Sequence, residues 1–146
     1  INIDGIEISA KEFKKFIYYS EQFSPIMSGN ILENLGLREE QLSNNKIKKI
    51  ITNVFSSKMI SLLYKKDNIL DRLSGGEIAR IGICRAILSN KSILIFDEPF
   101  ASLDKNSTNE IISILKRYSK FKLILIISHQ FINKDINPNY FLNISD

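Results

Sequence analysis

Two carboxylates stand side by side at Asp97 and Glu98, after the apolar run SILIF (92–96) and just before Pro99. An acidic pair at the C-terminal edge of a buried parallel strand lies where α/β proteins place their ligands. Successive strand residues point opposite ways, so the two carboxylates can take different tasks. One can hold a magnesium ion while the other orients or deprotonates a water. On these residues alone a solvated acidic turn remains an open alternative. A second cluster, Leu73-Ser74-Gly75-Gly76-Glu77, falls at a helix start. There consecutive glycines let backbone N–H groups approach an anion, Ser74 adds a hydroxyl, and the helix dipole favours negative charge. A plain N-cap would look the same. Asp104, in Ala101-Ser102-Leu103-Asp104, is placed to cap the following helix. His129 follows Ser128 at the end of another apolar run. It shares an edge with Asp97 and Glu98 if the two strands are parallel.

Strands and helices must carry these residues. SILIF and LILIIS (123–128) are short continuous apolar runs, as expected of strands buried on both faces. A helix from about Lys105 to Tyr118 separates them, so the pattern predicts a parallel α/β sheet. Ser74 precedes an apolar-rich helix running to about Ser89. Gly75, Ala79, Gly82 and Ala86 share one face of it and would let another backbone approach. Upstream, INIDGIEI (1–8) alternates around Gly5 and predicts a short strand or hairpin edge, and FIYYS (16–20) predicts a further strand. Ser28 is placed to cap a short helix that stops near Gly36. Glu39 to Tyr64 carries helical spacing through Ile47, Ile50, Ile51 and Val54, then Met59, Ile60, Leu62 and Leu63, and reads as a separate small helical layer. YFLNI (140–144) reads as a last strand.

Composition narrows the function classes. The 146 residues are 44% hydrophobic and 25% charged, an ordinary globular balance. No run approaches the roughly 18 to 20 apolar residues needed to cross a bilayer, and the N-terminus lacks a secretory pattern. A chain starting at Ile1 fits a piece cut from something longer. The net charge of +4 comes from scattered residues such as Lys14, Lys15, Lys48, Lys49, Lys65 and Lys66. They read as a solubilising surface, so no nucleic-acid partner is expected. The single Cys84 excludes an internal disulfide and a CxxC metal site, and fits a reducing compartment.

In this order and spacing the motifs resemble those of the ATP-binding cassette (ABC) ATPases, over nearly the whole chain from Ile3 to about Gln130. LSGGEIARIGICRAILSNKSILIFDEPFASLD (73–104) is similar to that family's signature motif, the helix after it, the Walker B strand and the D-loop, without a gap. IISH (126–129) resembles its switch-histidine strand, and YYSEQFSPIMSGNILENL (18–35) its Q-loop segment. The resemblance implies a partial P-loop NTPase α/β fold, a parallel sheet core with a helical subdomain. Residues 1–27 would be the core edge and Q-loop, 28–74 the helical subdomain, and 75–146 the core from signature helix to switch histidine. It implies ATP and Mg2+ as ligands. Asp97 would hold the magnesium, and Glu98 would act as general base or orient the attacking water. Gln22 would contact magnesium and that water. His129 would contact the γ-phosphate. Ser74, Gly75 and Gly76, with Glu77 where many members have glutamine, would bind the γ-phosphate of ATP held by an opposite subunit, and Asp104 would lie across that interface. The implied partners are a second nucleotide-binding domain in a head-to-tail dimer and a transmembrane domain, at the cytoplasmic side of a bacterial cell membrane.

One family element is not in this sequence. A phosphate loop G-x-x-x-x-G-K-[ST] needs a Gly-Lys step, and none of the six glycines is followed by lysine. The expected fold therefore lacks the Walker A strand, loop and helix, and the chain by itself is expected to bind ATP very weakly and to hydrolyse none. With apolar surface uncovered, it is expected to self-associate, to be only marginally stable, or to rely on a rearranged core. The leading reading is a fragment of a transporter's ATPase. The segment Ser28 to Leu35 resembles the exporter version, although LYKKDNILDR (63–72) is shorter than the exporter pattern. The alternatives are a soluble ATPase of the same family, acting in DNA repair or translation, and a non-catalytic interaction module.

Overall fold

The computed structural model describes residues 2–3, 6–7, 9–21, 26–27, 29–65, 73–101 and 103–129. A small antiparallel pair, β1 (Asn2–Ile3) and β2 (Ile6–Glu7), opens the chain. Ser9 then caps the short α1 (Ala10–Phe13), closing a box with Glu12, and one 3-10 turn leads into β3 (Ile17–Ser20). The hairpin and the strand stand where alternation around Gly5 and the FIYYS run put them.

Between β3 and the next strand of its sheet the described elements are all helical. They include α2 (Ile31–Leu35), α3 (Asn45–Val54), α4 (Ser57–Leu62) and the long α5 (Gly75–Leu88). The cap of α2 is Asn30: its side chain accepts from the Glu33 N–H, and the Glu33 carboxylate answers from the Asn30 N–H. Ser28, the expected cap, lies outside the described residues. An Asx side chain with an acidic residue three positions on makes a full capping box, and Asn30 with Glu33 has that spacing. α2 stops at Gly36, whose φ of 67° is the left-handed conformation favouring glycine. In α3 the apolar residues at three- and four-residue spacing bury Ile50, Ile51 and Val54. The helical layer is not free-standing. Ile31, Ile51, Val54 and Met59 belong to one continuous core with Ile81, Cys84 and Ile87 of α5 and Ile111 and Leu115 further on. Polar ties reinforce the join, since Arg85 on α5 donates through Nε to the Asn34 carbonyl at 2.8 Å.

The chain then forms β4 (Ile93–Asp97), α6 (Lys105–Tyr118) and β5 (Leu123–Ile127). The strands make a three-stranded parallel sheet in the order β3-β4-β5, with Tyr19 opposite Ile95 and Asp97 opposite Ile127. Both crossovers step the same way across the sheet. Since such connections are right-handed, α5 and α6 are laid on one face.

That placement corrects one expectation. SILIF and LILIIS read as strands buried on both faces, but burial alternates. Leu94 and Phe96 are buried under the helices, Ile93 and Ile95 are half-buried, and Leu123, Leu125 and Ile127 are exposed. An apolar run states that both faces prefer cover; it cannot state that the described elements supply only one layer. YFLNI lies outside the described residues.

Candidate functional site

Parallel strands collect their C-terminal ends on one rim, and the acidic pair rises from it. Asp97 ends β4 on the face opposite α5 and α6. Its carboxylate accepts a hydrogen bond from the hydroxyl of Tyr19 on the neighbouring strand, 2.7 Å from Oδ2. The register explains the meeting: Tyr19 is level with Ile95, two residues before Asp97 on the same face. The bond to Asp97 pushes the Tyr19 hydroxyl above the ordinary phenol range.

Glu98 leaves the strand differently. Its φ is +47°, a conformation that costs a non-glycine residue about 1 kcal/mol or more and concentrates at functional sites. The turn takes its side chain away from Asp97's face and leaves it buried. The Glu98 N–H donates to the Ile127 carbonyl at 2.8 Å. Its carboxylate accepts from the Ser128 hydroxyl at 3.0 Å and, on the other oxygen, from the backbone N–H of His129. Asp97, Glu98 and His129 thus stand on one rim, the imidazole belonging to an exposed residue. Gln22 lies outside the described residues.

The serine-diglycine corner is built on the helices over the other face. Ser74 caps α5 by accepting from the Glu77 N–H, and the Glu77 carboxylate accepts from the Ser74 N–H. Glu77 also pairs with Lys58 at 2.7 Å. Burial works against its ionisation, but the bonds from Lys58 and Ser74 outweigh it and hold its carboxyl below the usual range. Asp104 caps α6. The Ser107 hydroxyl, 2.6 Å away, and the N–H groups of Ser107 and Asn106 keep its carboxyl ionised to lower pH than usual. The two caps are neighbours, because a Cβ on Gly76 would lie 2.8 Å from Ser107 Oγ. Ser74, Gly75, Gly76 and Asp104 therefore form one cluster, at the helix ends that topology turns toward the strand C-termini, while Glu77 faces the helical layer through Lys58.

Two residues at the rim have no role that the sequence alone assigns. For Ser128 the available signal is a hydroxyl directly before a strand-end histidine. Tyr19 carried no signal, since its link to Asp97 depends on strand pairing.

Among the described residues no three His, Cys, Asp or Glu side chains converge into a metal cage. One or two carboxylates without a cage fit Mg2+, which keeps several waters and shares its coordination with substrate phosphates.

Comparisons with known proteins agree on a family. The family model described as ABC transporter matches residues 1–101. The methionine import ATP-binding protein MetN 2 of Bacillus cereus is 34% identical over 143 residues, a match covering 89% of this chain and 41% of that protein. A putative export ATP-binding/permease protein of Rickettsia felis is 33% identical over 136 residues, covering 89% of this chain and 24% of its own length. The chain thus spans less than half of the curated relatives it matches. A solved structure of a bacterial Atm1-family ABC exporter with ATP bound resembles 87% of this chain and 24% of its own, with a TM-score of 0.67 at 21% identity. That likeness is one of fold, an α/β arrangement corresponding to part of a P-loop NTPase domain.

Proposed function

Because the chain belongs to the ABC transporter family, we propose that it is part of a transporter's ATP-hydrolysing domain, in which ATP binding and hydrolysis drive a solute across the membrane. The observation that carries this reading is Glu98: a buried carboxylate at the end of a parallel strand, held in left-handed backbone and bonded through both oxygens. General-base work needs such a group, positioned within reach of the water it activates.

Asp97 would hold Mg2+ through its bound water, and the metal, when bound with ATP, neutralises charge developing on the phosphates. Tyr19 would restrain the Asp97 carboxylate. Glu98 would orient the attacking water and accept its proton, and His129 would face the γ-phosphate. Gln22 would contact the metal and the water and relay the state of the site to a transmembrane partner domain. Ser74, Gly75 and Gly76, with Glu77 and Asp104, would serve a second nucleotide-binding domain in a head-to-tail dimer, offering helix N-terminal N–H groups to its ATP. No helix among the described residues is long and apolar enough to cross a membrane, so that partner domain would bring the chain to the cytoplasmic face of the membrane. Ser28 to Leu35 favours export, and the relatives include both an import and an export protein.

Glu98→Gln in the full-length protein carrying this chain is the test. It keeps the volume and removes the base. Turnover should fall about 100-fold or more while ATP binding persists and the ATP-bound dimer accumulates. Wild-type hydrolysis by that variant would remove Glu98 from its role.

A further inference from the structure

We propose that the Ser128 hydroxyl is the positioning group for Glu98, fixing the plane of its carboxylate toward the water; this rests on the reading of Glu98 given above. Three bonds tie Glu98 to three consecutive residues. Its N–H donates to the Ile127 carbonyl, its Oε1 accepts from the His129 N–H, and its Oε2 accepts from Ser128 Oγ at 3.0 Å. Two of these use main-chain groups of the β5 end, which any side chain at residue 128 would leave in place. The third depends on residue 128 carrying a hydroxyl.

The third bond also has the most geometric content. With one donor, a carboxylate can rotate about its terminal bond and present either oxygen in many directions. With a donor on each oxygen, that rotation is stopped and the remaining lone pairs point along fixed lines. A base works only when its lone pair lies within hydrogen-bond reach of the proton it takes, and a misplacement of about 1 Å can cost about 100-fold in rate. The sheet does not need Ser128 for its register, because β5 pairs with β4 through main-chain bonds up to Ile127 opposite Asp97. Burial of Glu98 adds to the effect, since little solvent is present to replace the lost donor.

The test compares S128A, S128T, E98Q and the double variant S128A/E98Q in the full-length protein. S128A should lower kcat about tenfold with KM for ATP within about twofold, the split expected when ground-state binding is untouched. S128T, which keeps the hydroxyl, should stay within about threefold of wild type. The double variant should be no slower than E98Q alone, because Ser128 acts through Glu98. In the nucleotide-free protein, exchange of the His129 amide should quicken about fivefold in S128A and not in S128T, as the freed carboxylate releases its second donor. A wild-type kcat in S128A, a S128T as slow as S128A, a further loss in the double variant, or unchanged amide exchange would each overturn the assignment. Normal turnover by E98Q sinks the reading of Glu98 itself; normal turnover by S128A beside an inactive E98Q sinks only the role of Ser128.

Discussion

Adjacent residues at the rim have opposite surroundings. Asp97 keeps the strand's geometry and meets a neighbouring strand's hydroxyl on the open face, while Glu98 turns through positive φ and is buried. Two carboxylates on adjacent residues are thereby separated in environment, as the proposed division between a metal and a water requires. Strand alternation made opposite directions for the two carboxylates legible, but not the positive-φ turn that buries Glu98, nor the hydroxyls that restrain each carboxylate, which come from β3 and from the residue after β5. Deep in the core, burial pushes the Cys84 thiol up to about 12, from an ordinary value of 9.0. The folded state therefore keeps its proton where the unfolded chain loses it. Stability from this residue is complete below pH 9 and is lost as pH rises toward 12, at about 1.4 kcal/mol per pH unit. Denaturant titrations across that range should show stability falling more steeply in the natural chain than in Cys84→Ala, whose remaining slope belongs to tyrosines such as Tyr18 and Tyr118 that burial also pushes up. An equal slope in both would remove Cys84 as its source.

The helices obey their local signals closely, and each end has a cause. Ser74 and Asp104 cap α5 and α6 as their sequence positions predict. At α2 the cap moved from Ser28 to Asn30, because only Asn30 has a glutamate three residues on to complete the box. Gly36 ends the same helix with φ 67° and open space where a Cβ would go, so backbone conformation alone opposes a larger residue. Gly36→Ala should cost about 1 kcal/mol, seen as a lower melting temperature with unchanged helix content. A neutral effect would mean that the chain closes α2 without the left-handed residue. The expected helical middle is present, yet its apolar faces are spent on α5 and share its core. Amphipathic spacing names the face a helix buries and leaves its partner open.

Among the described residues, the three-stranded sheet carries helices on one side only. Leu123, Leu125, Ile127 and Tyr19 remain exposed on the other, and a continuous apolar surface of this kind drives association. The isolated chain should sediment as concentration-dependent oligomers, and Leu125→Lys should shift it toward monomer. A monomer with a sharp two-state unfolding profile would count against this. Its affinity for nucleotide should be weak for a separate reason: no glycine is followed by lysine, so this chain has no P-loop lysine to reach the β- and γ-phosphates. Calorimetric titration of the isolated chain with Mg-ATP should show no binding at micromolar concentration, and a micromolar dissociation constant would contradict the expectation.

What the sequence determined by itself was local: the helix and strand positions, the caps at Ser74 and Asp104, the glycine stop at residue 36, and the motif order that places the chain in its family. These depend on residues within a few positions of one another, where spacing and side-chain chemistry decide the outcome. Tertiary structure alone decided that Tyr19 reaches Asp97, that residues 127–129 surround Glu98, and that the described helices cover one face of two apolar runs and not the other. Each depends on strand register and crossover hand, which bring together residues up to 78 positions apart and which no local pattern encodes.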